Sequence, residues 1–305
     1  MKILISTSSF GKYDDAPVKK LTNSGYEIVL NPYKRTLKNE ETGKLLNGIT
    51  GLIAGTEQLT CDMLKQADKL KVISRCGTGM DNVDLKAAEQ LGIKVFNTPD
   101  APAQAVAELT LGLILALYRN IPGNDREVRS GKWEKGMGKL LQGKVLGILG
   151  LGRIGRKLVE LTAPFGLLVV ACDVNPDISF VEKHKIKLSS MEELLSTSDI
   201  VSIHVSYGTG TKNLIDKKKL ALMKHSSILI NTSRGGVINE GALAEALAGG
   251  GLAGAALDVF ENEPYAGPLK GMDKVILTPH IGSYAVESRV KMEMDAVDNL
   301  IKGLL

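Results

Sequence analysis

Cysteine is scarce in this chain. Cys61, Cys76 and Cys172 show no metal-ligand spacing and leave one thiol over in any pairing scheme. That excludes a disulfide framework, predicts no metal centre and points to a reduced, cytoplasmic protein. Charge of one sign is scarce too: 38 Lys and Arg against 34 Asp and Glu leave a net charge of +4. The lysines are scattered or in short runs such as Lys217-Lys218-Lys219, which read as a solvated helix face rather than a nucleic-acid stripe. No nucleic-acid or membrane partner is predicted. The longest apolar stretch, around Leu109 to Tyr118, is interrupted by Thr110 and Gly112 and is far too short to span a bilayer. Met1 to Ser6 lacks the longer apolar core of a signal peptide and reads as a first strand. Internal repeats and low-complexity tracts are absent as well. What is present is globular: 305 residues with 44% hydrophobic and 24% charged, enough for two domains with full cores.

Short β-like runs alternate with helical patterns throughout, which predicts parallel α/β layers. The first block has strands near Lys2–Ser6, Glu27–Leu30, Gly51–Ala54, Lys71–Arg75 and Lys94–Asn97, with helices near Ala16–Asn23, Thr60–Ala67 and Asp84–Leu91. Asn97-Thr98-Pro99-Asp100-Ala101-Pro102 breaks regular structure, and a long helix follows from about Ala103 to Tyr118. Residues 120–143 are polar and rich in glycine around the only tryptophan, Trp133. They read as an arm over a partner subunit, with a surface loop carrying a short helix as the alternative. The second block has strands near Ile200–His204, Ser227–Asn231, Gly254–Asp258 and Val275–Thr278. A last helix, about Tyr284 to Leu300, has no strand after it and is expected to pack back on the first domain.

The apolar run Val145–Leu149 leads into Gly150-x-Gly152-x-x-Gly155, and a helical pattern follows from Arg156 to Thr162. The first glycine allows the tight turn, the second lets a pyrophosphate approach the backbone, and the third lets helix and strand pack closely. A second apolar run, Leu167–Ala171, ends at Asp173, whose carboxylate suits the ribose hydroxyls of an adenosine. An aspartate there repels a 2′-phosphate, and Val174-Asn175-Pro176-Asp177 supplies no cation. The expected cofactor is NAD rather than NADP.

Three further motifs end strands of the second block. Asn231-Thr232-Ser233-Arg234-Gly235-Gly236 presents Arg234 where open α/β sheets bind ligands, and a guanidinium there can grip a carboxylate or keto oxygen. Ala255 to Pro264 ends in three carboxylates, Asp258, Glu261 and Glu263. Leu277-Thr278-Pro279-His280-Ile281-Gly282 places one histidine between proline and glycine. Of the other histidines, His184 and His225 look like surface residues, and His204 reads as a core or cofactor-adjacent group.

Taken together these motifs resemble the D-isomer-specific 2-hydroxyacid dehydrogenases, and the phosphoglycerate dehydrogenase branch, which can serve serine biosynthesis, looks closest. The resemblance also rests on Ser74-Arg75-Cys76-Gly77-Thr78-Gly79-Met80-Asp81-Asn82-Val83-Asp84 and on Ala105-Val106-Ala107-Glu108-Leu109-Thr110. It implies two Rossmann-like domains: a doubly wound parallel-sheet NAD domain over 99–281, and a discontinuous flavodoxin-like substrate domain from 1–98 plus 282–305. It further implies a homodimer through the NAD domains. By the same resemblance His280 is the acid–base residue, Glu263 its carboxylate partner and Arg234 the substrate-binding cation. Cys76, Gly77, Thr78 and Gly79 would hold the substrate carboxylate. The cofactor-binding set would be Thr78, Gly150, Gly152, Arg153, Ile154, Gly155, Asp173, Val205, Thr232, Ser233, Asp258 and Gly282, with Asp258 facing the nicotinamide.

The implied activity is hydride transfer between NAD(H) and a small 2-hydroxy or 2-keto acid, D-3-phosphoglycerate among them. A glyoxylate or hydroxypyruvate reductase is the alternative. The chain departs from the branch at the end of the third strand, where Ala54-Gly55-Thr56-Glu57 stands in place of an Arg-Ser pair whose arginine grips the substrate phosphate. Asp100 replaces a common glycine, and Ser206-Tyr207-Gly208-Thr209 replaces Pro-Leu-Thr-Pro. The chain also stops before the C-terminal regulatory domain of the serine-sensitive enzymes. A formate-type rival typically has glutamine where Glu263 stands. An NAD-sensing, peptide-binding corepressor is the non-enzymatic alternative, which the full Arg-Glu-His set disfavours.

Overall fold

Short apolar runs become the strands of two separate parallel sheets. The computed structural model describes residues 1–305 and divides into two units, Met1–Pro102 with Ser283–Leu305, and Ala103–Gly282. In the first unit β1 (Lys2–Ile5), β2 (Glu27–Leu30), β3 (Gly51–Ala54), β4 (Val72–Arg75) and β5 (Lys94–Asn97) form a parallel sheet in the order β2-β1-β3-β4-β5. β3 and β4 are buried at every position, so they read as continuous apolar runs rather than alternating ones. Helices α1 (Ala16–Asn23), α2 (Asn39–Leu46), α3 (Cys61–Gln66) and α4 (Leu85–Gln90) make the crossovers. The helices expected over 60–67 and 84–91 are shorter because Thr60 and Asp84 are their N-caps. Asp84 Oδ1 accepts the Ala87 N–H at 3.0 Å.

The C-terminal helix, Val286–Leu304, lies in this unit. Met292, Ala296 and Leu300 recur at helical spacing and pack with Ile3, Ile53 and Val72. Full burial of a side chain such as Leu300 contributes about 2 kcal/mol. Arg289 and Glu293 are buried on the same helix, 3.4 Å apart, and Glu293 Oε2 accepts the Gly11 N–H at 2.9 Å.

The second unit opens with α5 (Ala103–Tyr118) and α6 (Ile121–Arg129). Its strands are β6 (Val145–Leu149), β7 (Leu168–Cys172), β8 (Lys187–Leu188), β9 (Ile200–Ile203), β10 (Ile228–Asn231), β11 (Gly254–Leu257) and β12 (Val275–Leu277). They form one parallel sheet ordered β12-β11-β10-β9-β6-β7-β8. The fold is therefore α/β with two Rossmann-like sheets, as the alternation predicts. Strand order reverses beside β6, which puts the turn into α7 (Arg153–Thr162) at the switch point.

Three elements here carry weak sequence signals: α8 (Ile178–Lys183), α9 (Met191–Thr197) and the two-residue edge strand β8. Segment 120–143 holds the helix α6 and then no regular structure to β6. No single helix is long and apolar enough to cross a membrane.

Candidate active site

Every residue discussed next lies in the second unit. The glycine turn has the shape its spacing predicts. Gly150 has φ +96°, and a Cβ there would stand 2.7 Å from the His204 carbonyl oxygen. A Cβ on Gly155 would meet the Gly150 oxygen at 2.4 Å, so only glycine lets α7 sit this close to β6. Gly152, the N-cap, has open space where its side chain would be. The first-turn N–H groups of Arg153 and Ile154 lie beside that space, with the positive end of the helix dipole. Asp173 ends β7 with Oδ2 on the Leu151 N–H (2.6 Å) and Oδ1 on the Asn175 N–H (2.8 Å). Its carboxylate is thus fixed on the glycine loop itself, at Leu151. A narrow, anion-seeking cradle flanked by a carboxylate fits NAD.

The other strand ends converge through backbone contacts. Asn231 is the scaffold of the Arg234 turn: its Oδ1 accepts the Ser233 N–H and hydroxyl, and its Nδ2 donates to the Arg234 carbonyl. Arg234 is half-buried, with Nη1 donating to the Ser233 carbonyl at 2.8 Å. Thr232 and Thr110 share a buried hydroxyl–hydroxyl bond of 2.9 Å, which ties β10 to α5. Val205 follows β9, half-buried beside this edge.

His280 Nδ1 lies 2.9 Å from Glu263 Oε2, and Glu263 Oε1 accepts the Phe260 N–H at 3.1 Å. An ionised carboxylate only accepts, so the proton on this bond sits on Nδ1 and Nε2 is the nitrogen left for chemistry. Burial opposes ionisation of Glu263. The His280 hydrogen bond and charge, the Phe260 N–H and the Arg234 charge outweigh it and hold the carboxyl below its usual range.

The backbone of His280 is itself unusual, with φ +54° in the left-handed region. Asp258 holds it there. The Asp258 carbonyl accepts the His280 N–H at 2.9 Å, Oδ1 accepts from Thr278 Oγ1 and the Ile281 N–H, and Oδ2 accepts the Gly282 N–H. Burial pushes the Asp258 carboxyl up, more than those three donors pull it down. Both Asp258 oxygens and the Gly282 N–H thus help to fix the histidine turn. That is a positioning task which the strand-end pattern did not reveal.

Two more residues escaped sequence reading. Glu240 Oε1 accepts the Glu261 N–H at 2.7 Å and so pins the loop that carries Glu263. Gly235 packs directly beneath that loop: a Cβ on it would stand 1.9 Å from the Phe260 carbonyl. Asparagine followed by small polar residues signals the Asn231 turn, but nothing local signals Glu240.

Of the remaining histidines, His225 is exposed as expected. His184 is not a plain surface residue, because its ring stacks on Phe180 at 4.2 Å and its Nε2 is buried without a partner. His204 bonds Ser202 Oγ at 2.9 Å, and burial pushes it down to about 4, so it stays neutral at physiological pH.

In the first unit the loop leaving β4 carries Cys76 to Gly79. Cys76 is buried, which pushes its thiol up to about 11, and its N–H donates to the Ala54 carbonyl. The Gly77 N–H is taken by Thr98 Oγ1 at 2.8 Å. The N–H groups of Thr78 and Gly79 donate to no protein group, which leaves these two for an incoming anion.

A glycine-rich dinucleotide turn at the switch point of one sheet, with a His–Glu pair and an arginine at neighbouring strand ends, defines a dinucleotide-dependent oxidoreductase. Comparison with known proteins gives the family. Residues 111–282 match the model of the D-isomer specific 2-hydroxyacid dehydrogenase NAD binding domain. A glyoxylate reductase of Aeropyrum pernix is 40% identical over 257 residues, covering 81% of this chain and 77% of that protein. A hydroxypyruvate reductase of Thermotoga maritima is 36% identical over 276 residues, covering 88% and 89%. A crystal structure of a Thermus thermophilus protein superposes with a TM-score of 0.91 at 34% identity, covering 100% of this chain and 97% of that one. The chain spans about half the length of the D-3-phosphoglycerate dehydrogenases it also matches (49% and 54%). This chain belongs to the D-isomer-specific 2-hydroxyacid dehydrogenase family, and it is an NAD-dependent oxidoreductase acting on CH–OH groups.

Proposed function

We propose that the chain interconverts a small 2-keto acid and its D-2-hydroxy acid with His280 as acid–base residue, Glu263 as its partner and Arg234 as the substrate-binding cation. The observation that carries this reading is the His280–Glu263 pair, 2.9 Å apart on a backbone turn that Asp258 holds in place. NAD(H), when bound, supplies or accepts the hydride. Gly150, Gly152, Arg153, Ile154 and Gly155 are assigned to its pyrophosphate, and Asp173 to its ribose. Val205, Thr232 and Ser233 are assigned to the path between.

During reduction the carbonyl carbon gains hydride while the His280 imidazolium gives its Nε2 proton to the carbonyl oxygen, leaving a hydroxyl and neutral histidine. During oxidation neutral Nε2 takes the hydroxyl proton. Arg234 opposes the negative charge growing on the oxygen. The free N–H groups of Thr78 and Gly79 are assigned to the substrate carboxylate.

The decisive experiment is NADH oxidation by the purified protein against glyoxylate, hydroxypyruvate, pyruvate and 3-phosphohydroxypyruvate. Turnover of at least one acid is expected; none with any would sink the proposal. A second expectation concerns pH. In Glu263→Gln the imidazolium loses its counter-charge, so the acidic limb of the kcat/KM profile for hydroxyacid oxidation moves to lower pH. An unmoved limb would show that Glu263 acts otherwise.

The arm reading also extends to assembly. Trp133 is 82% exposed, Met137 93% and Leu140 70%, with Ile121 and Val128 also exposed on α6. An apolar group of this size on one segment supports a partner surface, and we assign it to a second copy of the chain. Light scattering is expected to give a dimer. Trp133→Ser combined with Met137→Ser is expected to shift it to monomer; a monomeric parent protein would overturn the assignment. The free thiols of Cys61, Cys76 and Cys172 support a reducing, cytoplasmic location.

A further inference from the structure

The machinery proposed above makes no use of Gly55, Thr56 and Glu57. These residues leave β3 beside β1, where the order β2-β1-β3-β4-β5 reverses, and open parallel sheets take ligands at such a reversal. Glu57 is only 2% exposed. Its Oε1 accepts the Gly55 N–H at 3.1 Å and is hydrogen-bonded to Ser6 Oγ, which follows β1. Its Oε2 lies over Gly55: a Cβ on residue 55 would stand 2.8 Å from it. The Thr7 hydroxyl lies 3.5 Å from the same Cβ position and is buried without a hydrogen-bond partner.

Glycine at 55 and the folded-back carboxylate of Glu57 are thus one feature. A longer side chain at 55 would have to displace Glu57. The loop is also tied to the proposed carboxylate cradle. Asn82 Nδ2 donates to the Glu57 carbonyl at 2.7 Å, and Arg75 Nε reaches Asn82 Oδ1 at 3.4 Å. The Cys76 N–H closes the register on Ala54. A substrate held by Thr78 and Gly79 therefore has the Gly55–Glu57 edge beside it in the same unit.

We propose that Glu57 sets the substrate class, turning away a 2-keto acid with phosphate on its third carbon and favouring one with a hydroxyl there. The inference rests on the assignment of the Thr78 and Gly79 N–H groups to the substrate carboxylate. A phosphate brings about two negative charges to an edge lined by the buried acidic side chain of Glu57, with little water to screen them. A hydroxyl instead donates to Glu57 Oε2 and accepts from Thr7 Oγ1. A methyl group at that carbon leaves both polar groups without a partner, and sites built around a substrate hydroxyl reject such analogues strongly.

The test uses the full-length protein and NADH. kcat/KM is measured for hydroxypyruvate, 3-phosphohydroxypyruvate and pyruvate, each divided by the value for glyoxylate, which has no third carbon. Hydroxypyruvate is expected to exceed the phosphorylated acid by about 100-fold and pyruvate by at least about 10-fold. In Glu57→Gln the ratio of phosphorylated to unphosphorylated acid rises at least about 10-fold. Thr7→Val supplies an independent variant, expected to lower the hydroxypyruvate-to-pyruvate ratio whether or not Glu57→Gln folds. Preference of the unsubstituted protein for the phosphorylated acid, or an unchanged ratio in Glu57→Gln, overturns the assignment of Glu57 alone. Failure to turn over any acid, glyoxylate included, overturns the dehydrogenase reading and this inference with it.

Discussion

Replacing His280 by alanine is expected to lower kcat/KM for keto-acid reduction by about 10²- to 10⁴-fold, the usual contribution of one positioned acid–base group. The affinity for NADH should change little. The glycine turn and Asp173 that are assigned to the dinucleotide belong to β6, α7 and β7, whereas His280 follows β12. Its side chain is 43% exposed and bonds only Glu263, so removing the ring opens no core cavity. The backbone turn keeps its Asp258 bonds, because those are made by N–H groups and by Thr278. One cost does fall on stability: alanine tolerates φ +54° less well than histidine. Steady-state kinetics with a fluorescence titration of NADH separates the two effects. A His280→Ala protein that turns over at the parent rate would remove histidine from the mechanism, and one that loses NADH binding would make its role structural.

Substituting Gly235 by alanine is expected to damage both fold and activity, although a single methyl is added. The new Cβ would stand 1.9 Å from the carbonyl carbon and oxygen of Phe260 and 2.5 Å from the Glu261 nitrogen. These are backbone atoms and cannot rotate away. The loop carrying Glu263 must lift off the loop carrying Arg234, and it must do so against the Glu240 bond to the Glu261 N–H and the packing of buried Phe260. Overpacking of this kind costs about 1–3 kcal/mol. At about 2–4 °C per kcal/mol, that lowers Tm by roughly 2–12 °C. A displacement of about 1 Å between Arg234 and the Glu263–His280 pair costs on the order of 100-fold in kcat/KM. Gly241→Ala is the matched control: its Cβ would have only Asn239 Oδ1 in reach, at 3.5 Å, and alanine favours the helix Glu240–Ala248 in which it lies. Parent-like Tm and activity in Gly235→Ala would mean that the two loops are not coupled as the packing implies.

The strands were legible because most are short, largely apolar runs bounded by turn residues, and β3, β4, β9, β10 and β11 are buried at every position. Glu27–Leu30, Gly51–Ala54, Lys94–Asn97 and Val145–Leu149 have the bounds expected from the sequence. The dinucleotide turn was legible for a similar reason. Its three glycines answer demands made within a few residues, by a turn, an approach and a helix–strand contact. Local patterns did less for the edges. β8 has two residues and none buried, so no periodicity can announce it. His184 lies among lysines in sequence, yet stacks on Phe180 one helical turn away.

The sequence by itself determined the α/β class, the position of the nucleotide turn, the preference for NAD through Asp173, and the set of strand ends that carry His280, Glu263 and Arg234. All of these depend on neighbours along the chain. Tertiary structure alone decided what those residues touch. Asp258 anchors the histidine turn with its carboxylate, Glu240 holds a loop 21 residues away, and Gly235 is the floor under Phe260. Glu57 folds back over Gly55 to meet a serine 51 residues earlier. A hydrogen bond or a close backbone approach depends on distance in space, and parallel β-strands bring together residues that the sequence separates by whole crossovers.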